Sequence, residues 1–232
     1  MKIIYRISES GYLKDKPSYI NNKNCFYNFC KIFNSYLNNI TIIADNIGDK
    51  TANLISKYIS IDNIIHTSVG HGAGTFNIAL DKALVLDQDE PVYFVENDYL
   101  HKKNADQILL EGLSLGFPFV TLYDHPDKYI DPAHGGNQFC SGGAENTRVY
   151  ITSSCHWKIT NSTTMTFAST RDHLRKHEHV LRKWTESSHP FDFQMFLDLM
   201  KNDAFLISSI PGYSTHGETM WLSPLTDWSL YV

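Results

Sequence analysis

Apolar residues along this chain gather in short β-type runs separated by longer stretches with helical spacing. The runs are Lys2 to Ser8, Ile40 to Ala44, Asn63 to Val69, Val92 to Val95 and Phe117 to Tyr123. Between the first two, Cys25 to Leu37 places Phe26, Phe29, Cys30, Phe33 and Leu37 on one helical face. Asp49 to Ile59, Thr75 to Leu84 and a stretch reaching Leu115 behind an Asn104 cap read as further helices. Strands that alternate with helices predict an α/β fold with a mostly parallel central sheet flanked by crossover helices. Later in the chain, Arg148 to Ser153, Met165 to Ser169 and Phe205 to Ile210 read as strands. Thr170 to Trp184 reads as one basic helix, and Asp192 opens another from Phe193 to Met200. Glu9 to Asn24 is a polar loop with a Pro17 break, and Asp124 to Glu145, a long loop rich in Gly, Pro, His and Asp, breaks the rhythm. Loops of that length inside a compact domain are usually functional or disordered.

The run Val92 to Val95 has too few polar positions for a half-exposed strand and predicts one buried on both faces. It ends in Glu96-Asn97-Asp98-Tyr99-Leu100-His101. Two acids at the carboxyl end of a buried strand stand where open α/β folds bind ligands, and oxygen donors suit a hard cation such as Mg²⁺ or Mn²⁺. The alternative is that Asp98 caps the following helix and Glu96 is solvated. Asp45, after the second strand, suits a ribose or base, or else a turn.

Gly70-His71-Gly72-Ala73-Gly74 suggests a dinucleotide fingerprint, but its third glycine would fall at Thr75. The acids near the expected distance, Asp87 to Glu90, precede the next strand and do not end it. The cluster still implies a backbone closely approached by something, with a flexible turn as the alternative. His156-Trp157-Lys158-Ile159-Thr160-Asn161-Ser162-Thr163-Thr164 offers an aromatic face and many hydrogen-bonding groups, a combination that binds sugars. A hydroxyl-rich β-turn is its plainer reading.

At 232 residues the chain suits one sizeable domain. A net charge of −5 gives no general case for nucleic-acid binding, and the basic helix reads as a solvated face. Cys25, Cys30, Cys140 and Cys155 match neither a CxxC pair nor a zinc spacing. With no signal-like start and no run long enough for a membrane helix, a cytoplasmic protein with free thiols is expected. No repeat or low-complexity tract is present. The tail containing Trp221 and Trp228 is aromatic enough to dock on the domain.

The order of elements resembles a GT-A type nucleotide-sugar glycosyltransferase. Val95 to His101 is similar to the variant acid motif of small bacterial and viral members, and His156 to Thr164 and Pro211 to Glu218 are similar to their counterparts there. The usual motif is D-x-D, and Glu96 and Asn97 depart from it. The resemblance implies a single GT-A-like domain over residues 1–232, with 1–100 as the nucleotide-sugar-binding half and 101–232 as the acceptor-binding half. It implies a metal-dependent hexosyl or deoxyhexosyl transfer, of inverting type, from a nucleoside-diphosphate sugar to a glycan or glycoconjugate hydroxyl. Mn²⁺ or Mg²⁺ would sit on Asp98 and His216. Arg6, Ser8, Asp45, Asn77 and Glu96 would hold the nucleotide, while His156, Trp157, Asn161 and Thr163 would hold the sugars. Asp192 is the implied base, with Asp172 as its substitute. A nucleotidyltransferase shares the topology but would favour a basic, glycine-rich loop after the first strand, which Glu9 to Lys16 matches poorly. A non-catalytic carbohydrate-binding protein is the third reading.

Overall fold

The computed structural model describes residues 1–10, 14–87 and 90–232. Gly11 to Leu13 of the expected polar loop, and Gln88 and Asp89 of the acidic stretch, lie outside the described residues.

The chain begins with β1 (Lys2–Ser8), then α1 (Asn22–Ile32), β2 (Ile40–Asp45), α2 (Asp49–Ile55), β3 (Ile64–Thr67) and α3 (Gly72–Leu84). It continues through β4 (Pro91–Glu96), β5 (Tyr99–His101), α4 (Ala105–Ser114) and β6 (Phe119–Thr121), and after the long loop through β7 (Val149–Ile151), β8 (His156–Thr160) and β9 (Phe167–Thr170). Helices α5 (Arg171–Lys176), α6 (Glu178–Lys183) and α7 (Asp192–Lys201) precede β10 (Leu206–Ile210) and β11 (Ser214–His216). The main sheet has the order β3-β2-β1-β4-β9-β6-β10-β8-β7. Strands β3, β2, β1 and β4 are parallel neighbours, as are β6 and β10. Strand β9 runs against both β4 and β6, and β8 runs against β10 and β7, so all but these two share one direction. The expected mostly parallel sheet is present, and β5 pairs apart from it with β11.

Alternation within the strands divides the core between the two faces. Tyr5, Tyr93 and Val95 pack with Phe26, Phe29 and Phe33 of α1 and its end, and with Leu109 of α4. Ile4, Val92 and Phe94 pack on the other face with Phe76 of α3, Leu181 of α6 and Phe196 of α7. Val92 to Val95 has no exposed surface, so helices cover β4 on both sides. Each such large apolar side chain contributes about 1.5–3 kcal/mol.

Several boundaries moved for local reasons. Asn21 accepts the Asn24 amide and caps α1, which therefore begins before Cys25 and passes after Phe33 into a 3₁₀ turn. Helix α2 stops at Ile55, short of Ile59, which is still buried in the core. The basic helix is two helices, because His177 leaves helical geometry between α5 and α6. Asn104 precedes α4 in a left-handed conformation and makes no side-chain cap. In the glycine cluster, His71 caps α3, and a Cβ on Gly74 would lie 2.3 Å from Val69 Cγ1 and 2.7 Å from His71 Cε1. What approaches that backbone is the chain itself. Trp228 is buried and donates to the Ser223 carbonyl, docking the tail against Leu100, Ile20 and Cys25. All four cysteines are free and buried, and no helix among the described residues is long and apolar enough to cross a membrane.

Gly112 on α4 faces Trp157 and Val120, and a Cβ there would come within 2.5 Å of the indole and 2.7 Å of Val120. Gly112→Ala is expected to destabilise the protein by about 1–3 kcal/mol in urea unfolding, although alanine favours helices, because neither buried neighbour can withdraw.

Candidate functional site

Strand β4 delivers Glu96 to the carboxyl edge of the sheet, in register with Arg6 of β1. Glu96 Oε1 lies 3.3 Å from Arg6 Nη2, and its Oε2 accepts Thr164 Oγ1 at 2.6 Å. Arg6 is buried and also donates to the carbonyls of Gly72 and Met165. Burial lowers its pKa below the ordinary value, and Glu96 opposes that shift. Arg6 and Glu96, expected to touch nucleotide, thus form a charged brace between β1, β4, α3 and the Thr164 to Thr166 segment.

Asp98 takes a different path. The pairing of β5 with β11 sets Tyr99 opposite His216, which brings the neighbouring Asp98 to the imidazole. Asp98 Oδ2 is 3.3 Å from His216 Nε2, 2.7 Å from Lys16 Nζ and 4.0 Å from Lys14 Nζ. Lys14 Nζ is also 3.2 Å from His216 Nε2 and 3.9 Å from Glu218 Oε2. Burial would raise the Asp98 pKa, but His216, Lys16 and Lys14 outweigh it and hold the carboxyl well below the usual range. Gly217 permits the close approach, since a Cβ there would lie 2.7 Å from the Asp98 carbonyl oxygen. His101, the last residue of the motif, belongs to the core. It meets the Tyr93 hydroxyl at 2.8 Å, and burial pushes its pKa down to about 3.

The expected pairing of Asp98 with His216 is present, yet the converging atoms Oδ2 and Nε2 both face ammonium groups. Among the described residues no group of three or more His, Cys, Asp or Glu side chains could hold a metal ion. The donor set in this arrangement therefore does not fit a resident divalent cation.

Beyond Asp98 lies a cavity of about 310 Å³, lined by His125, Asp127, Asn137, Ser162, Thr163, Asp192, Phe193 and Trp221 among others. That volume is at the lower end of the ~300–1,000 Å³ typical of small-molecule sites. Asp192 is the first residue of α7 and accepts the Phe193 amide at 2.7 Å. Desolvation, followed by the Glu96 carboxylate, pushes its carboxyl up to about 7 against the opposing pull of His216 and Lys14. Asp192 thus lines the cavity within reach of the Glu96, His216 and Lys14 charges. Asp127 shows the reverse: burial is outweighed by His125, Lys128 and Ser162, which bring it down to about 2. Asn137 ties Asp127 to Asn161 and Ser162 at 2.9 Å each. Deeper in the loop, Lys158 lies 2.9 Å from Asp124 and 3.3 Å from Glu145, and buried Lys128 lies 3.1 Å from Glu145 and bonds Asn161. Asp124 to Glu145 is thus an ordered loop fastened by buried charges.

Other expected site residues are placed elsewhere. Trp157 has no exposed surface and donates its indole N–H to Thr152, so it cannot stack on a sugar. Trp221, partly exposed on the cavity wall with its ring 5.3 Å from His125, offers the aromatic face instead. His156 is exposed on β8, in register with Ile151 and Ile210. Asn161 and Thr163 are buried, Thr163 lining the cavity and meeting Thr121 at 3.1 Å. Asn77 exchanges hydrogen bonds with Thr185 and faces the α6 end. Asp172 pairs with Arg171 next to Thr170, which is in register with Pro91, at the end of β4 opposite Glu96. It is removed from the site by the length of that strand. Asp45 accepts the amides of Val69 at 2.7 Å and Gly70 at 3.0 Å, with Ser8 Oγ 3.5 Å away. Lys14 and Lys16, in the polar loop after β1, and His125, Asp127 and Asn137, in the long loop before β7, carry no motif in the sequence, and their place in irregular loops was their only signal.

No sequence-family model matches the chain, and no curated protein matches it in sequence. Solved structures do. GalNAc-T7 with UDP, GalNAc and Mn²⁺ is similar at a TM-score of 0.58 and 12% identity, over 95% of this chain and 44% of that one. S. aureus TarS 1-349 is similar at 0.52 and 13% identity, over 92% of this chain and 60% of that one. CMP:2-keto-3-deoxy-manno-octonic acid synthetase complexed with CTP gives only 0.48 at 13% identity, over 91% of each chain, too distant to bear on the fold. The fold is that of GT-A type glycosyltransferases, and the chain spans less than two thirds of either glycosyltransferase-like neighbour.

Replacing Glu96 with Ala would leave the buried Arg6 guanidinium without its charge partner. The variant is expected to lose about 3 kcal/mol of stability in urea unfolding, and recovery of less than that with Glu96→Gln would separate the charge from the Thr164 hydrogen bond.

Proposed function

We propose that this protein transfers a sugar from a nucleoside-diphosphate sugar to a hydroxyl of a glycan or glycoconjugate, with inversion, and that Asp192 is the base. The observation that carries the reading is Asp192 itself, a carboxyl on the cavity wall pushed up to about 7. A general base works best with a pKa near the operating pH. The acceptor sugar occupies the cavity, with a ring face on Trp221 and hydroxyls on Asp127, Asn137 and Ser162, a set in which a carboxylate and an aromatic face supply complementary contacts. The first hundred residues carry the donor side, at the carboxyl ends of β1, β2 and β4, and the later residues carry the acceptor side. A hexosyl or deoxyhexosyl unit is the transferred group.

The acceptor oxygen attacks the anomeric carbon while its proton passes to Asp192. The bond from that carbon to the diphosphate oxygen breaks, and the electron pair leaves with the diphosphate. Glu96, braced by Arg6 and Thr164, keeps negative charge near Asp192 and so raises its affinity for the proton. The metal expected on Asp98 and His216 enters no step, since ammonium groups hold those atoms.

Release of nucleoside diphosphate from a panel of nucleotide sugars and glycan acceptors tests this reading. Asp192→Asn is expected to lower kcat/KM by about 10²–10⁴ and to abolish an acid limb that inflects near pH 7 in the native protein. Native Asp192 keeps its proton up to about 7, whereas the unfolded chain releases it near ~3.9. The native protein therefore loses stability as pH rises between those values, and Asp192→Asn, which cannot ionise, should be the more stable protein above pH 7. Full activity in the variant would remove Asp192 as base. Saccharide binding with no turnover of any nucleotide sugar would favour the carbohydrate-binding alternative.

A further inference from the structure

The segment that carries Lys14 and Lys16 crosses the carboxyl edge of the sheet and is fastened on both sides. Thr219 donates its amide and its hydroxyl to the Asp15 carbonyl at 2.8 and 3.1 Å, and the Ile20 amide donates to the Pro17 carbonyl at 2.9 Å. Residues 14–17 form no helix or turn, and Lys14 and Lys16 stand two positions apart in that irregular stretch. Both ammonium groups reach the one cluster, Lys16 on Asp98 and Lys14 among His216, Asp98 and Glu218. Their side chains retain 29% and 20% of their exposure, so the groups are held yet reachable from solvent. An ammonium has three N–H donors, and one bond to Asp98 leaves Lys16 others to direct at a ligand.

We propose that Lys14 and Lys16 are the cations that receive the donor's diphosphate, and that Asp98, His216 and Glu218 hold these two lysines in place. The inference rests on the donor reading above and names the group that takes charge from the leaving diphosphate. It departs from the Mn²⁺ or Mg²⁺ expected at Asp98. When the anomeric carbon–oxygen bond breaks, the diphosphate gains a negative charge. Two positioned ammonium groups attract the product diphosphate more strongly than the donor, and that difference lowers the barrier. Asp98 is then a positioning residue. Its carboxylate keeps both amines aimed, which explains why a site at the nucleotide edge is built from a buried acid with two lysines on it.

The test is calorimetric binding of inorganic pyrophosphate, and of uridine, guanosine and cytidine diphosphates, to the full chain with EDTA and with Mn²⁺. The expected result is binding in EDTA that weakens as salt is raised. Lys16→Met and Lys14→Met should each lose about 10–100-fold in affinity, and Lys16→Arg should keep most of it. Asp98→Asn should weaken pyrophosphate binding although it removes a negative charge from the site, an outcome that mere electrostatic attraction would reverse. Binding only with Mn²⁺, unchanged in the lysine variants, would overturn the proposal and leave the donor reading standing. Binding of neither pyrophosphate nor any diphosphate under both conditions would overturn the two together. If the methionine variants fail to fold, native binding in EDTA that is indifferent to salt overturns the proposal on its own.

Discussion

The pairing of Tyr99–His101 with Ser214–His216 is the constraint on which the candidate site depends. These strands stand apart from the main sheet and join the end of the first half of the chain to the end of the second. Their register places Asp98 against His216, and Gly217 lets the two backbones approach. The tail then follows Gly217 over the site, where Thr219 fastens the lysine-bearing segment and Trp221 walls the cavity. A slip of one residue in this ladder would turn His216 to the opposite face and separate the cluster.

Charge is distributed unequally around that ladder. Glu96 faces Arg6, Asp98 faces two lysines and a histidine, and Asp127 lies beside His125 and Lys128. Asp192 has a neighbouring carboxylate and, among the described residues, no ion pair of its own, and it is the one whose proton is held to about 7. Carboxyl groups a short distance apart are thereby given different chemistry by their surroundings, the lowered ones serving as fixed acceptors and the raised one able to take and release a proton. The buried Asp124, Lys158, Glu145 and Lys128 network has a structural part in this, since it orders a long loop that would otherwise lack a core.

Wherever periodicity was strong, the order of elements was legible. Strand β1 matched its expected bounds, and Val92 to Val95 proved buried on both faces because a run without polar positions has no side to offer to water. Helix ends were less legible, since they turned on single contacts: Asn21 capping α1, His71 capping α3, His177 breaking the basic helix. The aromatic in His156 to Thr164 misled for a related reason. Trp157 alternates inward on β8 against Gly112, and an indole inside the core and an indole on a sugar-binding wall look alike in a linear sequence.

Beyond what the resemblance implied for His216 and Asp192, the chain by itself determined the α/β alternation and the central strand tipped with Glu96 and Asp98. These rest on local pattern and on residue chemistry at strand and helix ends, which short stretches of sequence encode. Only the tertiary structure decided that Arg6 braces Glu96, that Asn77 and Asp172 point elsewhere, and that two lysines from an irregular loop close on Asp98. The Arg6–Glu96 and Lys16–Asp98 pairs join residues far apart in the chain, and they form only once the fold has brought the partners together and excluded water around them.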